Sequence, residues 1–141
     1  MGAASDNYPL HVDLLQPAGR LNGPIHAAID TFRTANGIAR SRSGQASGHV
    51  VTWRCAGETP SADTEPAADH LSFMPPGAPG AAQQRAIFVP PLETVSVPQL
   101  RACVASNEAV LREIRNAVAD KRYVCAVGTG VWLVAAAGVL D

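Results

Sequence analysis

Residues 123–140, YVCAVGTGVWLVAAAGVL, decide how the chain is read. Tyr123 to Val127 is a compact apolar run rich in β-branched residues, which predicts a strand buried in a parallel sheet. Gly128-Thr129-Gly130 predicts a tight turn, and Val131 to Leu140 an apolar helix. Strand, turn and immediate helix make the geometry of a nucleophile elbow. The turn residues must be small there because the helix packs closely on the strand.

Upstream, Asn107 caps a helix that places Val110, Leu111, Ile114 and Val118 on one face and Arg112, Glu113, Arg115 and Asn116 on the other. Ser96-Val97-Pro98-Gln99 resembles a capping box and leads into Leu100 to Ala105. Ala86 to Val89, closed by Pro90-Pro91, predicts another buried strand. Leu71 to Met74 reads as a short edge strand, followed by a loop over Pro75 to Ala82. The stretch from Gly57 to Asp69, with Glu58, Asp63, Glu65 and Asp69, reads as a solvated loop. His49 to Ala56 has the β-branched and aromatic content of a strand.

The amino-terminal third gives a first strand over Pro9 to Gln16, after a loose tail over residues 1–8. A helix opens at Asn22-Gly23-Pro24, with Gly23 as N-cap and Pro24 at the first helical position. Ile25, Ile29 and Phe32 recur at helical spacing, and Gly37 stands where a helix would end. Ile38 to Ser47 then reads as a polar loop. The order β–α–β–(β)–β–α–β–α predicts an α/β fold, a flavodoxin-like or Rossmann-like sandwich with a mostly parallel sheet.

Composition narrows the function. The 141 residues suit one domain, with 47% hydrophobic and 16% charged residues. A net charge of −1 gives no basic field for gripping nucleic acid. No apolar run reaches the roughly 18 residues of a membrane span. Cys55, Cys103 and Cys125 match no zinc spacing and read as reduced thiols of a cytoplasmic protein. His11, His26, His49 and His70 lack helical metal-ligand pairing, so neither a metal nor a cofactor is expected.

The segment 124–141, VCAVGTGVWLVAAAGVLD, resembles the elbow of ThiJ/PfpI-type domains of the class I glutamine amidotransferase-like superfamily, most closely those preceding the DNA-binding part of AraC-like transcriptional regulators. Thr129-Gly130, Leu133 and Ala137-Gly138-Val139-Leu140-Asp141 carry the likeness. Asp30 to Asn36 (DTFRTAN), Val12 to Pro17 and Ile87 to Pro90 extend it over nearly the whole chain. The resemblance implies a partial domain over residues 9–141, cut short on its C-terminal side. It further implies that DNA contact would need a helix-turn-helix domain absent from this sequence.

Alignment of Thr-Gly puts Gly128 at the family's cysteine position and Pro24 at its acidic position. Neither can serve a thiolate mechanism. The expectation is therefore a non-catalytic ligand-sensing or dimerisation domain that homo-oligomerises, has no membrane role and takes a small-molecule effector. The expected pocket is formed by Pro24, His26, Gly128, Thr129 and Gly130. The competing reading is a ThiJ/PfpI-type enzyme, such as a hydrolase, isonitrile hydratase or glyoxalase-like protein, with an unconventional nucleophile.

Overall fold

A computed structural model describes residues 10–44, 50–56 and 84–140. Four strands, β1 (Leu10–Leu15), β2 (Val51–Ala56), β3 (Arg85–Val89) and β4 (Tyr123–Ala126), form one sheet in the order β2-β1-β3-β4. Every pairing is parallel: Val12 faces Trp53 and Ala86, and Ile87 faces Val124. This is an α/β fold of flavodoxin-like strand order. The expected tail, the loops over 57–69 and 75–82 and the short strand at 71–74 fall outside the described residues.

Helix α1 (Asn22–Ser43) covers one face of the sheet. Ile25 and Ile29 pack there with Val12, Leu14, Trp53, Ala86 and Phe88, in a wholly apolar layer. Phe32 adds a tilted ring contact with Trp53 at 5.7 Å between centroids. Helices α2 (Val97–Ala105), α3 (Glu108–Ala119) and α4 (Val131–Ala136) lie on the opposite side. Val110, Leu111, Ile114 and Leu133 bury there against Leu15, Ile87 and Val89. The period-two alternation of side chains splits each central strand between two cores.

Several boundaries differ from the sequence reading. Helix α1 starts at Asn22 with Leu21 as its N-cap, so Gly23 is helical and Pro24 is the third residue, still where its missing N–H costs little. The helix passes through Gly37 and the expected loop from Ile38. It ends at Gly44, whose φ of 65° supplies the left-handed cap and whose N–H donates to the Arg40 carbonyl. Tertiary anchoring accompanies this extension. Asn36, 3% exposed, accepts from the N–H groups of Val50 and Val51 and donates to the Val51 carbonyl at 2.8 Å. One glycine costs a helix only about 1 kcal/mol, so the packing outweighs it.

On α3 the buried stripe uses Ala117, and Val118 is 41% exposed. Asn107 occupies the N-cap position, but its side chain makes no cap bond and reaches the β1–α1 loop instead. Strand β4 is an edge strand of the described sheet, not a doubly buried one: Tyr123 and Cys125 are exposed. Helix α4 is shorter than expected, ending before Gly138, whose φ is 73°.

Candidate functional site

Ligands of open parallel sheets bind outside the carboxyl ends of the strands, at the point where strand order reverses. Here that point lies between β1 and β3, and the loops that follow them are joined by backbone. Leu21 N–H donates to the Pro91 carbonyl at 2.8 Å, and Glu93 N–H donates to the Gly19 carbonyl at 2.7 Å. An isolated antiparallel bridge pairs Arg20 with Leu92. Asn107 grips the first loop from α3's N-terminus: its Oδ1 accepts from Ala18 N–H at 2.8 Å, and its Nδ2 donates to the Ala18 and Cys103 carbonyls. The Cys103 thiol donates to the Ala18 carbonyl at 3.2 Å.

The Gly-Thr-Gly turn, a single 3₁₀ turn over Gly128–Gly130, joins the same assembly. Thr129 Oγ1 accepts from Leu92 N–H at 2.8 Å and donates to the Leu92 carbonyl at 2.9 Å. A Cβ at Gly130 would stand 2.5 Å from the Pro90 carbonyl oxygen and 2.7 Å from that of Val89. Only glycine permits that approach. Gly128 has a φ of 53°, and Pro91 lies in van der Waals reach of any Cβ there.

Of the five expected pocket residues, the structure brings Gly128, Thr129 and Gly130 together against Pro90 to Leu92. Pro24 is half-buried and His26 exposed on the first turns of α1, and neither makes a side-chain hydrogen bond among the described residues. The side-chain amide nitrogen of Gln16, at the end of β1, is buried with no hydrogen-bond partner among the described residues. Cys125 is exposed rather than buried, because β4 is an edge of the described sheet. Cys55 is also exposed, though local desolvation pushes its thiol pKa up, with a smaller opposing pull from Arg20. A raised pKa works against thiolate reactivity.

The open space lies elsewhere. The β3 loop launches α2 and the glycine turn launches α4, and between these helices runs a groove of about 470 Å³. Val97, Leu100, Val104, Trp132 and Ala135 line it, with Arg101 as its charged residue. Trp132 is 54% exposed and Val97 is 62% exposed. The sequence signal was faint: Val97 and Trp132 are apolar residues near the starts of two helical segments, and the segment holding Trp132 is apolar throughout. Only the fold shows that the two share a groove.

A second feature escaped the sequence reading. Asp13, wholly buried in β1, is bound by Arg54 of β2, by Arg122 Nη1 at 3.2 Å and by Arg85 Nη2 of β3 at 3.4 Å. His11 Nε2 lies 3.3 Å away. Arg122, 6% exposed, also reaches Glu113 at 2.8 Å. Burial on its own would raise the Asp13 pKa. The Arg54 hydrogen bond and the charges of Arg54, His11 and Arg85 more than offset it and hold the carboxyl below its ordinary range. The same hydrogen bond raises the Arg54 pKa. This cluster ties one central carboxylate to every other strand or its lead-in.

Comparison with family models, with curated proteins and with solved structures finds no match. No group of three or more His, Cys, Asp or Glu among the described residues is arranged to hold a metal ion. No described helix is long and apolar enough to cross a membrane.

Proposed function

We propose that this chain is a non-catalytic ligand-sensing or dimerisation domain of the type found in AraC-like transcriptional regulators. The observation that carries the reading is the state of the elbow. Gly128 brings no side chain to it, and the Thr129 hydroxyl is engaged as both donor and acceptor with Leu92. The one polar side chain of the turn therefore holds two loops together. The likeness of residues 124–141 to ThiJ/PfpI-type elbows supports the family assignment. Three free thiols suit the reducing cytoplasm, where such a regulator works.

Thiol titration tests the reading. Cys55, whose thiol pKa is pushed up by desolvation, should label sluggishly, and no single cysteine-to-alanine variant should remove a turnover. The sensing reading fails if one of them titrates well below pH 8 and its alanine variant abolishes turnover of an amide, isonitrile or aldehyde substrate.

A further inference from the structure

We infer that the groove between α2 and α4 is the effector site, and that it takes an amphipathic monoanion: a small aliphatic or aromatic body carrying a carboxylate. The inference rests on the sensing reading and names the ligand class for it. Three observations converge. First, the groove's volume of about 470 Å³ lies within the usual range for small-ligand sites. Second, its walls are Val97, Leu100, Val104, Trp132 and Ala135, and Trp132 leaves more than half of its surface uncovered. A large amphipathic ring at a concave site is the side chain best suited to hold an apolar body. Third, Arg101 is the groove's charged residue, and it has no ion pair or side-chain hydrogen bond among the described residues. Arg101 is exposed at the groove's edge, whereas Arg122, the cation buried in the fold, is shared among Asp13, Glu113 and Asp120. A guanidinium on an apolar rim, with no partner among the described residues, selects a planar anion, which it can grip with two parallel N–H bonds.

The site also has a route to the rest of the domain. Thr129 is bonded to Leu92, so the segments that lead into α4 and α2 are joined at one point. A ligand wedged between the two helices would act directly on that joint.

The test uses octanoate as probe and 1-octanol as its neutral counterpart, with the whole chain. Octanoate should bind saturably and shift tryptophan emission to the blue, since Trp132 is half exposed and Trp53 is buried. Arg101→Gln should weaken octanoate by roughly tenfold and leave octanol unchanged. Ala135→Trp, which fills the groove, should abolish both. Far-ultraviolet circular dichroism and melting temperature confirm that each variant is folded. Equal octanoate affinity in Arg101→Gln, or binding that survives Ala135→Trp, overturns the inference. So does sedimentation showing a dimer that Trp132→Ala dissociates, because the groove is then occupied by a second copy. If a metabolite panel raises the melting temperature of wild type and Ala135→Trp alike, sensing stands and the groove assignment falls. If a reactive cysteine emerges from the thiol titration, the sensing reading itself falls.

Discussion

The two faces of the sheet are built on different physics. The α1 face is an apolar layer, with Leu14, Ile25, Ile29 and Phe88 buried and no charged side chain in its cluster. The α3 face has an equally apolar half around Ile87, Val89 and Leu133, but beside it sits Asp13 under three arginines. The apolar face gains from area removed from water, which tolerates substitution in proportion to the volume lost. The ionic cluster is intolerant in another way. Asp13 and Arg122 are both desolvated, so removing one leaves the other's charge buried, whereas Arg54 and Arg85 keep much of their side chains in water.

That contrast can be broken at its strongest point first. Asp13→Ala should cost about 3–5 kcal/mol, because it leaves Arg122 buried without its central counter-ion. Urea denaturation at pH 7 measures this. The pH dependence sharpens the same point. The Asp13 carboxyl has a folded pKa below its unfolded one, so the unfolded chain binds the proton first. Its contribution is present above the ordinary carboxylate value of about 3.9 and is lost as pH falls through the folded pKa. Wild type should therefore lose stability more steeply than Asp13→Ala over that acid interval, with the two curves converging at the acid end.

On the apolar face, Leu14→Ala should cost about 3 kcal/mol by cavity formation, with no change in acid sensitivity. The same denaturation series at pH 7 and at a pH below the ordinary carboxylate value of about 3.9 separates the two mechanisms. At the carboxyl end of the sheet, Gly130→Ala should cost about 2 kcal/mol or more, since its methyl meets the rigid Pro90 carbonyl. Thr129→Val should cost least, about 1–2 kcal/mol, by leaving the Leu92 backbone groups unpaired. Hydrogen exchange at Leu92 N–H should report that opening locally even where the global change is small.

Much of this architecture was legible in the residues. The apolar runs at 86–89 and 123–127, the β-branched stretch ending at Ala56 and the periodic Ile25, Ile29 and Phe32 specify strands and helices through spacing alone. The alternation of strand and helix then leads to a parallel sheet. Errors fell where a local signal competed with a distant partner. Gly37 is a fair helix stop by propensity, yet a 22-residue helix runs through it while Asn36 bonds the start of β2. Asn107 is a good N-cap by type, yet its amide serves a loop 89 positions earlier in the chain. The expected site fared in the same way. The glycine turn was located correctly as a turn, but the use of Thr129 depends on Leu92, which no local pattern names.

The sequence by itself determined the class of fold, because periodicity and turn residues act over a few positions and survive in any context. The tertiary structure alone decided which polar groups are spent and which stay free. Asp13, an unremarkable acid in the string LHVDLL, becomes the ionic centre of the sheet because strands from distant parts of the chain bring three guanidinium groups to it. Arg101 and Trp132, 31 positions apart, share a groove because two loops fastened by one threonine launch their helices side by side. Long-range contacts of this kind leave no trace in local spacing, since the energy that fixes them arises only when the chain has closed on itself.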